Sequence, residues 1–148
     1  MKKYLIVILC LIALLTGCST KETKSLVEKK LSDGLILSYQ ANTSGLESEP
    51  YYEIKVYAGK YITYGYSNLD GFSEVKLTDE QYQEIVNYIE SKEFLSLDND
   101  ISNNNAVSEK YSRIVIYYND YTNLSIGGTN ISDETYLGLV SLLEKYNI

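Results

Sequence analysis

The chain has 148 residues, a net charge of −7, sixteen tyrosines, two cysteines and one arginine, with neither His nor Trp. An acidic chain argues against nucleic-acid partners, whose phosphates demand cations, and against docking on anionic lipid headgroups. Without His, the Ser-His and Cys-His arrangements of nucleophilic catalysis are excluded, as is a zinc site of the usual His/Cys ligands.

At the N-terminus, Met1-Lys2-Lys3 supplies positive charge and Tyr4 to Leu15 supplies an apolar run. The run is shorter than the roughly 20 apolar residues a membrane-spanning helix needs, and it has signal-peptide length. It ends in Leu15-Thr16-Gly17-Cys18, followed by polar, charged residues. This order resembles the bacterial lipobox, and the chain is similar here to a bacterial lipoprotein. The resemblance implies that residues 1–17 are a removable signal peptide. It also implies that Cys18 takes diacylglycerol, with acyl chains of the palmitate kind, as a thioether. The domain would then be held at the extracytoplasmic face of the cell membrane. Two acyl chains make such an anchor stable, because each buried methylene contributes about 0.8 kcal/mol. The plainer readings are a short secretory signal that happens to contain Cys18, or a buried N-terminal helix.

On the lipobox reading, Cys10 leaves with the signal and Cys18 is alkylated, so the mature chain forms no internal disulfide. Losing residues 1–17 removes Lys2 and Lys3 and no acid, which leaves 131 residues with a net charge of −9. That is one ordinary domain. Residues 18–30 (CSTKETKSLVEKK) read as the lipidated Cys and a tether. About a dozen such residues have a random-coil reach of roughly 20 Å.

Residues 31–148 read as a single domain. Residues 31–34 (LSDG) read as a turn, 34–40 (GLILSYQ) as a first strand and 41–50 (ANTSGLESEP) as a loop rich in breakers. A repeat follows, with copies at about 51–97 and 110–148. Ile54, Val56, Tyr57 and Tyr61 match Ile114, Ile116, Tyr117 and Tyr121 at an offset of sixty. Each block is two alternating strands around a turn. Directly opposed hairpin residues share a face. A three-residue loop, Ala58-Gly59-Lys60, opposes Tyr57 to Tyr61 and puts Ile62, Tyr64 and Tyr66 with Ile54 and Val56. The same logic gives Tyr118-Asn119-Asp120 as the second loop, with Ile114, Ile116, Thr122, Leu124 and Ile126 on one face.

Each hairpin leads to a helix. Thr78-Asp79-Glu80-Gln81 is a capping box, and Tyr82, Ile85, Val86 and Ile89 form an apolar stripe. In the second copy Ser132 is the expected cap, and Tyr136, Leu139, Val140 and Leu143 repeat the stripe at an offset of fifty-four. The six extra residues of the first copy fall around 67–73 (SNLDGFS). Phe94, Leu95 and Leu97 should fold back onto the core. The expected fold is α+β: an antiparallel sheet of about five strands with two helices on one face, from a duplicated ββα unit. The Leu-Thr-Asp-Glu-x-Tyr helix start at Leu77 and the Phe94-x-x-Leu97 exit are similar to small secreted bacterial domains. That likeness implies no activity.

Three sets of residues bear on function. Tyr57, Tyr61, Tyr117 and Tyr121 would lie on the sheet face away from the helices, where rigid amphipathic rings suit contact with protein or glycan. Tyr also has high strand propensity, which explains such rings without a partner. Asp98, Asp100 and Ser102 stand at positions 1, 3 and 5 of a calcium-loop spacing, with Asn104 between and Glu109 at position 12. Position 6 is Asn103 rather than Gly, and a strand follows rather than a helix. A solvated Asn-rich connector is the alternative. The remaining carboxylates are scattered over helix starts and loops, with no pair that spells out a glycosidase. The reading is a membrane-anchored, non-catalytic binding or accessory module that meets an envelope protein or glycan and needs no cofactor. A calcium-binding surface protein is the alternative, and a carboxylate-based hydrolase the third.

Overall fold

A computed structural model describes residues 29–42, 51–67, 71–104 and 110–147. The signal segment, Cys18 and nearly all of the tether, most of the 41–50 loop, and Glu109 therefore lie outside the described residues. The elements in chain order are β1 (Leu35–Asn42), β2 (Tyr52–Tyr57), β3 (Tyr61–Tyr66), β4 (Ser73–Lys76), α1 (Asp79–Ile89), α2 (Lys92–Leu95), β5 (Tyr111–Tyr117), β6 (Asn123–Thr129) and α3 (Glu134–Glu144).

The fold is α+β. One six-stranded antiparallel sheet runs in the order β4-β3-β2-β1-β5-β6. That is one strand more than the alternation pattern suggests. The extra strand is β4, which pairs with β3 just after the residues that lengthen the first copy. Its four residues are too few for period-two alternation to stand out.

Two rows of apolar side chains cross the helix-covered face. One is Val75, Ile62, Val56, Leu37, Ile116 and Leu124, and the other is Tyr64, Ile54, Tyr39, Ile114 and Ile126. Ile54, Val56, Ile62, Leu37 and Ile114 have no solvent exposure. At about 25 cal/mol per Å² of apolar surface buried, these rows and the helix side chains packed on them favour folding.

The helices pack on this face because their apolar stripes can be buried nowhere else. α1 buries Ile85, Val86 and Ile89, and α3 buries Tyr136, Leu139, Leu142 and Leu143. Phe94 on α2 is fully buried, and Leu97 packs on the same core. Buried hydroxyls fasten the layers. Tyr64 donates to the Leu143 carbonyl at 2.8 Å, and Tyr136 donates to Ser112 Oγ at 3.1 Å. Tyr88 donates to the Thr135 carbonyl and ties α1 to α3.

Thr78 caps α1 with the reciprocal Gln81 bond of a capping box. The cap of α3 is Asp133, not Ser132: the Asp133 carboxylate accepts from the Tyr136 amide at 2.9 Å. A carboxylate at that position satisfies an orphan amide and meets the positive end of the helix dipole at once. Ser132 instead accepts a hydrogen bond from Asn103.

β1 lies between the two hairpins. Both β2 and β5 run antiparallel to it, so they run parallel to each other. β3 lies beyond β2 and β6 lies beyond β5, on opposite sides. The two ββα segments thus share a core face but have hairpins of opposite hand.

The turns explain the difference. In the first, Lys60 N–H bonds the Tyr57 carbonyl and Lys60 has φ +59°. In the second, Tyr121 N–H bonds the Tyr118 carbonyl and Tyr121 has φ +63°. Both are three-residue loops that end in a left-handed residue. The second is Asn119-Asp120-Tyr121, one position later than the repeat predicts, and its closing pair is Tyr118 and Thr122. A shift of one residue exchanges the faces, so Tyr57 and Tyr61 flank the first turn from the open face, whereas Tyr118 flanks the second from the core side. A turn of fixed hand mounted on the opposite face sends the next strand to the opposite side.

Candidate functional site

The face away from the helices carries three cross-strand rows. The first is Lys76, Tyr61, Tyr57 and, across β1, Tyr117 and Asn123. The second is Glu74, Thr63, Lys55, Ser38, Val115 and Ser125, and the third is Gly65, Glu53, Gln40, Arg113 and Gly127.

Tyr57 and Tyr61 meet in the first row. Their rings stack with centroids 4.4 Å apart and 11° between planes. Tyr117 is half-buried, and its hydroxyl is 3.1 Å from Ser38 Oγ. Tyr121 does not join them. It sits at the turn tip, 99% exposed, because the loop begins one residue later than the repeat implies.

The polar centre of this face escaped the sequence reading. Glu53 is only 5% exposed, and its oxygens are held by Lys55 Nζ at 2.7 Å and Gln40 Nε2 at 3.2 Å. Burial lowers the Lys55 pKa, but the bond and charge of Glu53 outweigh it, and the net direction is up. Phe72 folds over Gly65, where a Cβ would stand 2.6 Å from the ring, and Lys55 Nζ lies 5.2 Å from the Phe72 centroid. Beyond Gln40, Arg113 bonds Ser125 Oγ at 2.8 Å and the Tyr111 hydroxyl. Among the described residues no carboxylate forms an ion pair with Arg113. Strand parity alone, applied to Glu53-x-Lys55 and Arg113, would have placed these charges on the open face. Their pairing runs through Gln40 of β1, which lies outside the repeat.

The Asp98 loop is used as a sheet edge. Ile101 N–H bonds the Gly127 carbonyl at 3.0 Å, Asn103 N–H bonds the Thr129 carbonyl at 2.8 Å, and Gly127 N–H bonds the Asn99 carbonyl at 3.1 Å. Gly128 permits this approach: its φ is +156°, and a Cβ there would stand 2.5 Å from Ser102 Oγ. Asp100 Oδ1 accepts from the Ser102 hydroxyl at 2.5 Å and the Ser102 amide at 3.0 Å, which hold its pKa down. Ser102 Oγ in turn accepts from Thr129 N–H. Asp98, Asn104 and Asp100 are exposed, and they border a shallow depression with Asp133. A cation on Asp100 and Ser102 would have to compete with these bonds. Among the described residues no group of three or more His, Cys, Asp or Glu could hold a metal ion.

The face away from the helices presents the partly exposed rings of Tyr57 and Tyr61 and the partly exposed Arg113 around a centre in which Ser38, Glu53 and Thr63 are buried. Ser38 has a tyrosine hydroxyl as its neighbour rather than a base. Comparison with protein-family models finds no match. Comparison with curated protein sequences finds no relative.

Proposed function

We propose that the chain is a lipid-anchored, non-catalytic binding module at the extracytoplasmic face of the cell membrane. Cys18 carries the lipid, and the open sheet face engages an envelope protein or glycan. The observation that carries the binding half is the stacked Tyr57–Tyr61 pair, set beside the Lys55–Ser38 row, in which Lys55 is bonded to Glu53 and Ser38 to Tyr117. Flat rings next to bonded polar groups suit recognition of an amphipathic partner. The anchoring half rests on Leu15-Thr16-Gly17-Cys18 and the apolar run before it.

Pull-down from membranes with the lipidated chain tests the binding half. Replacing Tyr57, Tyr61 and Tyr117 together with Ser should abolish capture and leave the far-UV circular dichroism unchanged. Capture that survives the triple change removes the tyrosine face from the reading. For the anchor, Cys18→Ser should release the chain from the membrane fraction and end incorporation of labelled palmitate.

A further inference from the structure

The point where the chain enters the domain is pinned to one turn. Lys29 Nζ lies 3.4 Å from Asp120 Oδ2, donates to Thr122 Oγ1 at 2.6 Å and sits 5.3 Å from the Tyr118 ring centroid. The Lys30 carbonyl accepts from Asn119 N–H at 3.0 Å, and Leu31 bridges to Tyr118. Every one of these partners belongs to the β5–β6 turn or flanks it. The β2–β3 turn stands at the same end of the sheet, joined by the bond from Ala58 N–H to the Gly34 carbonyl at 2.8 Å.

At the tip of the pinned turn stands Tyr121, and two features of it are unusual. Its backbone is left-handed at φ +63°, a conformation for which Gly or Asn is the ordinary choice. Its side chain is 99% exposed, and its ring meets no aromatic or cationic partner among the described residues. Among the described residues no ring contact or cation accounts for a large amphipathic ring there. The matching position of the first turn is Lys60, which is paired with Asp79 at 2.8 Å. Strain at an exposed position with no packing return points to a contact outside the domain.

From these observations we infer that the β5–β6 turn is the membrane-facing end of the domain and that Tyr121 seats in the headgroup region of the bilayer. The inference rests on the reading of Cys18 as the lipid anchor. Lys29 stands eleven positions after Cys18, which even fully extended spans no more than about 40 Å. The turn that holds Lys29 is thus the part of the domain closest along the chain to the acyl chains. Tyr combines an apolar ring with a hydroxyl and concentrates at the boundary between hydrocarbon and water. A single ring holds a free domain weakly. On a chain already anchored, the local concentration is high and the ring needs only to orient. The opposite end of the sheet, with Tyr52 and Tyr66, would then face away from the membrane, and the open Tyr57–Tyr61 face would stand alongside the membrane normal.

The absence of Trp makes a clean test. Tyr121→Trp and, as the control at the far end of β3, Tyr66→Trp each install one indole in the full chain. Tyr66 is 46% exposed, so both positions accept the larger ring. Each chain is expressed in a bacterial host, checked by mass for diacylglycerol on Cys18, and reconstituted in net-neutral phosphatidylethanolamine–phosphatidylcholine vesicles with or without brominated acyl chains. The expected result is blue-shifted emission from the Tyr121→Trp chain, quenched at least twofold more by brominated lipid than emission from the Tyr66→Trp chain. A lipidated Tyr121→Trp chain that emits as in water, or is quenched no more than the control, overturns the orientation and leaves the anchor standing. A chain without lipid on Cys18 overturns both.

Discussion

Ile54 and Ile114, sixty positions apart, lie on either side of one residue of β1, Tyr39. The same holds along the strand. Val56 and Ile116 flank Leu37, Lys55 and Val115 flank Ser38, and Glu53 and Arg113 flank Gln40. The internal repeat is thus a lateral relation across β1, and the strand outside the repeat is the one that both copies pair with. Glu53 and Arg113, opposite in charge and equivalent in the repeat, share Gln40 between them.

Leu37 is therefore expected to hold both halves together. It is fully buried and touches the core of each copy. Leu37→Ala should cost about 3 kcal/mol through lost transfer energy and the cavity left behind. Urea unfolding followed by tyrosine fluorescence and by circular dichroism should move to lower denaturant together. Two separate transitions would show that the halves fold independently.

The β5–β6 turn should weaken in acid. Asp120 accepts from the Thr122 hydroxyl and the Thr122 amide, and these bonds, with Lys29 nearby, hold its pKa below the ordinary Asp range. A group whose folded pKa is depressed stabilises the fold above its unfolded value, about 3.9 for Asp, and that contribution is lost as pH falls through the folded pKa. The carboxyl resonance of Asp120 should titrate below the ordinary Asp value, and the Lys29 contacts should loosen in the same range. Asp120→Asn should move the loosening out of that window. A midpoint at or above the ordinary value would contradict the geometry.

Tyr121→Gly should raise stability. Relief of a left-handed side chain is worth about 1 kcal/mol, offset in part by the greater freedom of Gly in the unfolded chain. A rise in Tm of a few degrees is expected, together with a loss of membrane orientation. A lower Tm would mean that the ring packs in the fold after all.

Gly128→Ala should detach the edge segment. The added methyl would lie 2.5 Å from Ser102 Oγ and 2.8 Å from Ser102 N, at a φ of +156°. A cost of about 1–3 kcal/mol is expected from overpacking and backbone strain. The Ile101 and Asn103 amides, which bond to β6, should exchange faster with solvent than those of β2. Unchanged exchange at Ile101 would show that the segment does not depend on the close approach.

Much of this arrangement was legible in single segments. The capping box at Thr78 and Gln81 follows from local bonding, and the stripes ending in Ile89 and Leu143 follow from helical period. The face assignment of Ile54, Val56, Ile114 and Ile116 follows from strand period. The second turn was not legible. Closing pairs of Tyr117 with Tyr121 or Tyr118 with Thr122 both keep Ile114 and Ile116 on the core face, so alternation does not separate them. The selection lies in contacts from afar, added to the local bond of Asp120 with Thr122: Lys29 and Leu31 come from about ninety residues away to hold Tyr118 and Asp120.

The sequence by itself determined which residues face the core, where α1 begins and what kind of N-terminus the chain resembles. Each of these depends on period, capping or motif within a few residues. The tertiary structure decided that β1 lies between the hairpins, that the hairpins have opposite hand, that Glu53 is buried against Lys55 and Gln40, and that Tyr121 stands in solvent. These depend on which strand edges find each other. Backbone hydrogen bonding satisfies any register of the right parity, and only the packing of the whole sheet chooses among them.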